Sequence, residues 1–127
     1  MSNAYLDTHV VVWLYDGLIE RLSEEAKRQI EANDLLISPM VLLELQYLYD
    51  RKRVGIEPMD IYTHVHATFV VNLCSIPFPA IAINALRCGW TNDPFDQLIV
   101  SHAKANGESV FITADSRIRK HYPAAKW

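Results

Sequence analysis

Short apolar runs alternate along the chain with longer segments in which apolar residues recur at helical spacing. The short runs predict strands over residues 4–6, 35–37, 74–78 and 110–113. The longer segments predict helices over residues 9–15, 24–32, 39–53, 58–71, 79–87, 94–106 and 116–120. Strands that alternate with helices in this way are typical of an α/β fold with a mostly parallel sheet.

Capping residues mark several of the predicted helix boundaries. Ser38 precedes Pro39, and Asp93 precedes Pro94, so each pair supplies a side chain that caps a helix and a proline suited to its first turn. Gly55 follows one of the predicted helices and serves as its stop.

Composition and charge narrow the class of protein. The 127 residues, half of them hydrophobic, predict one domain over residues 1–127 with a single core. The two cysteines are not in a CxxC pair, and we expect them to be reduced. No apolar run approaches the ~20 residues of a membrane helix, and the start does not resemble a secretory signal. We therefore expect a cytoplasmic protein without a membrane partner. The net charge of −3 argues mildly against a nucleic-acid binder.

Four acidic residues stand where an open parallel sheet places its ligands. Asp7 ends the first strand, and Asp115 follows the last one. Glu44 lies on the helix after the second strand, and Asp96 lies in the first turn of another helix. Because ligands bind beyond the carboxyl ends of the strands in such sheets, we expect these four side chains to converge.

Glu44 is the most informative of the four. Its helical neighbours are all apolar, namely Met40, Val41, Tyr47 and Leu48. A carboxylate on such a surface must be protonated, paired with a base or bound to a cation. A salt bridge to a buried base is the structural alternative, although the helix itself offers no base before Arg51.

Each of the other acids also has a purely structural interpretation. Asp7, Asp93 and Asp115 are all suited to cap a helix. Asp96 near a helix start interacts favourably with the helix dipole by ~0.3–1 kcal/mol. Taken together, however, four converging carboxylates repel one another unless a cation binds. Mg²⁺ or Mn²⁺ suits such ligands, Thr8 is placed to add a hydroxyl, and a metal held in this way serves phosphodiester hydrolysis.

The histidines carry no comparable signal. His9, His64, His66, His102 and His121 show none of the spacings of a zinc site, and we expect them at the surface or at the edge of the core. The sequence also contains no glycine-rich phosphate loop and no GxSxG motif.

Four motifs in order suggest a family. They are LDTHVVVWL at residues 6–14, ISP at 37–39 followed by Glu44-Leu45, DPFDQLIVSHA at 93–103, and TAD at 113–115 followed by Ile118. With these motifs, the chain resembles the PIN-domain ribonucleases, and among them the VapC-like toxins of toxin–antitoxin pairs. The resemblance extends over nearly the whole chain.

The resemblance implies a three-layer α/β/α fold and a set of functional residues. It implies that Asp7, Glu44, Asp96 and Asp115 form the catalytic metal site for Mg²⁺ or Mn²⁺, with Asp93 and Thr113 in supporting positions. It further implies cleavage of single-stranded or looped RNA, a homodimer and a cognate antitoxin. Gln97 stands where such proteins often carry a basic residue, so Arg117 and Lys120 are the candidates for phosphate contacts.

Two other functions remain open at this point. In an aspartate-dependent phosphatase Asp7 is the nucleophile, but such enzymes need a second acid two residues later, where this chain has His9. In a non-catalytic PIN-like binding module the acids serve only as caps and salt-bridge partners. Stabilisation by Mg²⁺ or Mn²⁺ distinguishes the metal site from the module.

Overall fold

The computed structural model describes residues 2–127, which form a five-stranded sheet with helices on both faces. The strands are β1 (Asn3–Leu6), β2 (Asp34–Ile37), β3 (Asn72–Leu73), β4 (Val110–Ile112) and β5 (Ala125–Lys126). Their order in the sheet is β3-β2-β1-β4-β5, and every neighbouring pair is parallel. The predicted three-layer α/β/α architecture is therefore confirmed.

Seven α-helices within the described residues connect the strands. They are α1 (Thr8–Asp16), α2 (Glu24–Ala32), α3 (Pro39–Asp50), α4 (Pro58–Phe69), α5 (Phe78–Ala85), α6 (Pro94–Ala105) and α7 (Ser116–His121). A short 3₁₀ turn at Ile19–Arg21 lies between α1 and α2 and was not predicted. Within residues 2–127, every helix falls short of the length and apolar character needed to cross a bilayer.

The predicted helix starts at Ser38 and Asp93 are confirmed. Ser38 accepts a hydrogen bond from the Met40 N–H, and Asp93 accepts one from the Phe95 N–H. The end of α3 differs from the prediction, because the helix stops at Asp50 rather than near residue 53. A turn over residues 51–54 follows, in which Lys52 adopts the left-handed conformation with φ 59°. We refer to this segment as the α3 end turn.

The strand predicted over residues 74–78 is wrong in its position. The paired segment is Asn72–Leu73, and the backbone of Cys74 adds one further hydrogen bond, from its N–H to the Ile37 carbonyl. Pro77 lacks the N–H that a strand within a sheet donates, and its fixed φ favours a helix start instead. Helix α5 accordingly begins at Phe78, inside the segment predicted as strand.

The edge strand β5 was not predicted because two residues are too few to show a periodicity. It forms through the Phe111 N–H, which donates to the Ala124 carbonyl, and the Thr113 N–H, which donates to the Lys126 carbonyl. These bonds bring the last residues of the chain beside β4.

The core lies on both faces of the sheet, and this explains why the central strand β1 is buried along most of its length. In β1, Ala4, Tyr5 and Leu6 are completely buried. Strand β1 has β2 on one side and β4 on the other. Its carboxyl end, followed directly by Asp7, is therefore in the middle of the sheet edge where ligands bind in α/β folds.

Ser38 stabilises the protein by capping α3 and by contacting a side chain of α6. Its buried Oγ caps α3 and lies 2.8 Å from Nδ1 of His102 on α6, a side chain buried in the core rather than at its edge. We expect Ser38→Ala to lower the free energy of unfolding by about 1–2 kcal/mol, because a cap is lost and a buried partner of His102 is removed. Urea unfolding measures the change. The exposed Ser116→Ala is the control, and equal effects of the two substitutions would contradict the assignment.

Candidate active site

A cavity of about 300 Å³ lies beyond the carboxyl end of β1, and all four predicted acids line it. Asp7 and Asp115 come from the ends of strand segments, and Glu44 and Asp96 from α3 and α6. We call this space the acidic cavity. The sequence-based expectation that the four side chains converge on one place is therefore met by the geometry.

Asp7 is buried and held by hydrogen bonds to both of its oxygens. Oδ1 accepts from the Thr8 N–H at 2.8 Å, and Oδ2 accepts from the Thr113 hydroxyl at 2.7 Å. Burial raises the pKa of Asp7, and the charge of Asp115 acts in the same direction, while His9 and the hydrogen bonds oppose the shift. Asp7 thus caps α1 and lines the cavity at once, so its two interpretations are compatible.

Thr113 connects Asp7 to Asp115. Its side chain is fully buried, and its Oγ1 accepts a hydrogen bond from the Asp115 N–H at 3.0 Å while donating to Asp7. Asp115 caps α7 through Oδ1, which accepts from the Arg117 and Ile118 N–H groups. Capping therefore uses only one oxygen of Asp115 and leaves Oδ2 for a ligand.

Glu44 is half-buried, and its partner is a hydroxyl group. Thr8 donates a hydrogen bond from Oγ1 to Oε1 of Glu44. Burial raises the pKa of Glu44, and the charges of Asp7 and Asp93 raise it further against the effect of the Thr8 hydrogen bond. Among residues 2–127, no base lies within ion-pair distance of Glu44, so the salt-bridge alternative is wrong for this part of the chain.

Asp96 shows most directly that the acids share one electrostatic field. Burial, together with the negative charges of Asp93, Asp7, Glu44 and Asp115, raises its pKa from 3.8 to about 7. Asp93 itself is exposed and caps α6, as the structural interpretation of this residue predicts. A carboxyl group with a pKa near neutrality in a cavity of other carboxylates is a feature of functional sites.

The donor set of the cavity suits a hard divalent cation. In the conformation described for residues 2–127, no three His, Cys, Asp or Glu side chains meet closely enough to enclose an ion. Mg²⁺ does not require such an enclosure, because it keeps several waters and binds through one or two carboxylates. A cavity of this size, lined by carboxylates that raise one another's pKa, fits a hydrated ion of this kind.

His9, which we expected at the surface or at the edge of the core, lies partly buried and lines the cavity. The Ala114 N–H donates to Nε2 of His9 at 2.9 Å, so a neutral ring carries its proton on Nδ1. Nδ1 is 3.6 Å from Oδ2 of Asp7. The ring also contacts Trp13 and Trp127, with centroid distances of 5.0 and 6.3 Å. The only feature of the sequence that placed His9 near the cavity was its position two residues after Asp7.

The two cations predicted to contact phosphate do not line the acidic cavity. The guanidinium group of Arg117 donates instead to the Trp90 carbonyl, and Lys120 is exposed on α7. The arginine that does line the cavity is Arg53, in the α3 end turn. Arg53 reaches the cavity because α3 ends at Asp50, whereas the sequence pattern predicted the end of this helix near residue 53.

The acidic cavity makes stability depend on pH in a defined direction. The raised pKa of Asp96 means that the native state holds this proton more tightly than the unfolded chain does. Its stabilising effect is therefore complete below about pH 4 and is lost as the pH rises through about 7. Without metal at pH 8, we expect Asp96→Asn to be more stable than the wild type by roughly 1–3 kcal/mol after allowance for partial exposure.

Urea unfolding in EDTA at pH 4 and pH 8 tests this expectation. The difference between Asp96→Asn and the wild type should disappear at the lower pH. Asp93→Asn is the matched control, because asparagine caps a helix as well as aspartate does and Asp93 is exposed. An Asp96→Asn protein that is less stable than the wild type at pH 8 would show that the ionised Asp96 side chain does not destabilise the native state.

Comparisons with known proteins agree with this geometry. The family model of the PIN domain matches residues 4–122. No significant match was found among curated proteins. A crystal structure of VapBC2 from Rickettsia felis, bound to a DNA fragment from their promoter, contains a similar chain, with 18% identity, a TM-score of 0.60 and coverage of 98% of this chain and 97% of the other. A structure of DNA-bound VapBC from Salmonella typhimurium gives 22% identity, a TM-score of 0.60 and coverage of 99% and 96%.

At these identities the two structures support the fold, and the family model covers almost the entire sequence. The parallel sheet, the acids beyond its carboxyl edge and the matched residues all lead to the same assignment. The chain belongs to the PIN-domain family.

Proposed function

We propose that this protein is an endoribonuclease that depends on Mg²⁺ or Mn²⁺ and acts as the toxin of a toxin–antitoxin pair. The observation that carries the proposal is the acidic cavity, where four carboxylates from four different segments share one field. Such an arrangement is costly for a binding module, because the repulsion between the acids reduces stability without any return in function.

Each acid has a role that follows from its surroundings. Asp7, Glu44, Asp96 and Asp115 would hold the ion. A bound Mg²⁺ or Mn²⁺ supplies an activated water and offsets the charge that develops on the phosphate oxygens. Thr113 orients Asp7 and Asp115, and Thr8 orients Glu44, through the hydrogen bonds described above. The carboxylates that hold the ion also serve to accept the proton of the attacking water.

Cleavage of a labelled single-stranded RNA by the purified protein tests this proposal. We expect cleavage in Mn²⁺ or Mg²⁺ and none in EDTA. Faster turnover of a small phosphate ester than of RNA would favour the phosphatase alternative. That alternative has little support, because His9 stands where such enzymes need the second acid.

The partners we propose are a second copy of the chain and an antitoxin protein. Large apolar side chains are exposed on α3 and α5, namely Leu43, Tyr47, Phe78 and Ile83, with Leu86 just after α5. Exposed apolar groups of this kind are suited to protein contacts. The two structures compared above are VapBC complexes by their descriptions. Light scattering after gel filtration measures the molar mass, and a monomer at micromolar concentration would contradict the homodimer.

A further inference from the structure

Arg53 is the only lysine or arginine among the described residues that line the acidic cavity. It is exposed, and the ion pairs found within residues 2–127 involve other bases. Its guanidinium group is therefore not committed to any carboxylate of the described chain. An arginine that lines a cavity of carboxylates without pairing with a described one is available to an anion that enters the cavity.

The backbone of Arg53 is held firmly at this position. Its N–H donates to the Leu48 carbonyl at 2.9 Å, and the Val54 N–H reaches the same oxygen at 3.4 Å. Lys52, just before it, adopts a left-handed conformation that costs a non-glycine residue about 1 kcal/mol or more. Leu48 and Val54 also line the cavity. The α3 end turn thus fixes the point from which the Arg53 side chain extends.

We propose that Arg53 is the phosphate-binding residue of this site and contacts the RNA backbone next to the bond that is cleaved. The inference rests on the proposed ribonuclease function. A polyanionic strand approaching four carboxylates is repelled, and a cation at the edge of the cavity reduces that repulsion. A guanidinium group binds phosphate through two parallel hydrogen bonds, so it also fixes the position of the strand.

The two neighbouring bases provide matched controls. Arg51 and Lys52 are exposed and carry the same charge, but neither lines the cavity. The guanidinium group of Arg51 instead lies 4.6 Å from the centroid of the Tyr47 ring. If RNA responded only to the general field of these three bases, loss of any one of them would weaken binding equally. If Arg53 contacts a phosphate inside the cavity, its loss weakens RNA binding more than the loss of Arg51 or Lys52 does.

The experiment measures binding separately from cleavage. A labelled single-stranded RNA of about twelve nucleotides, within the range of single-strand sites, is titrated in Mn²⁺ with the Asp96→Asn protein, so that the RNA is not consumed. In this background we expect Arg53→Ala to weaken binding about tenfold and to reduce the dependence of log K on log salt by roughly 0.7. Arg51→Ala should change binding less than about twofold, and Arg53→Lys should restore part of the affinity.

The outcomes separate this inference from the proposed function. Three outcomes would overturn the role of Arg53. They are equal weakening of RNA binding by Arg51→Ala and Arg53→Ala, no weakening by Arg53→Ala, and no RNA binding by the Asp96→Asn protein. Selective weakening together with no metal-dependent cleavage by the wild type would leave Arg53 as a phosphate-binding residue and refute the ribonuclease. A circular dichroism melting curve for each variant shows that the fold is retained.

Discussion

Replacing Asp96 by asparagine should lower the Mn²⁺-dependent cleavage of single-stranded RNA by at least about a hundredfold, the scale of a lost catalytic acid or base. Asparagine has nearly the same size but cannot carry the negative charge that attracts the ion or accept a proton. The fold should remain, because burial raises the pKa of Asp96, and an ionised Asp96 therefore lowers the free energy of unfolding. Initial rates on one labelled RNA measure the effect.

Asp93→Asn is the matched control for this prediction. Asp93 lies three residues earlier on the same helix start, but it is exposed and caps α6 through a hydrogen bond that asparagine also makes. We expect its cleavage rate to stay within a few-fold of the wild type. If both variants cleave as fast as the wild type, the activity comes from another site or from a contaminating ribonuclease.

Mn²⁺ should raise the melting temperature of the wild type, and Asp7→Asn should abolish most of that rise. Binding to the native state alone contributes about 2.7 kcal/mol when the free ion is at a hundred times its Kd, which corresponds to roughly 10 °C for a chain of this size. The ion also relieves the repulsion between carboxylates whose pKa values are raised.

Asp60→Asn serves as the control for the melting experiment. Asp60 is exposed in the first turn of α4 and does not line the acidic cavity, so this variant should keep the full response to Mn²⁺. Asp7→Asn retains an oxygen for the Thr8 N–H and should fold. An identical rise in all three proteins would mean that Mn²⁺ stabilises the chain elsewhere, which would favour the non-catalytic module.

Much of the site follows from the sequence because strand ends and helix starts are local features. Asp7 and Asp115 each follow a short apolar strand, and parallel strands end at the same edge of the sheet. The capping interpretation of these residues was also right, since each carries a helix cap. For Asp115 the two interpretations do not compete, because capping occupies only one of its carboxylate oxygens.

The errors and omissions arise where tertiary structure decides the outcome. The third strand lies at Asn72–Leu73, before the predicted segment, in which Pro77 favours a helix start. Strand β5 forms because the Phe111 and Thr113 N–H groups donate hydrogen bonds to carbonyls near the end of the chain. Arg53 reaches the cavity because α3 ends in a turn with a left-handed Lys52, which no periodicity indicates. The positions of Arg117 and Lys120 near Asp115 in sequence gave no information about the direction of their side chains.

The most direct test of the account is the rate of RNA cleavage at a series of Mn²⁺ concentrations, for the wild type and for Asp96→Asn. The wild-type rate should rise from zero in EDTA and saturate, with a midpoint near the Kd for Mn²⁺ obtained from the dependence of the melting temperature on Mn²⁺ concentration. The variant should show no such saturable rate. Cleavage that persists in EDTA, or that is equal in the two proteins, would contradict a metal-dependent ribonuclease centred on the acidic cavity.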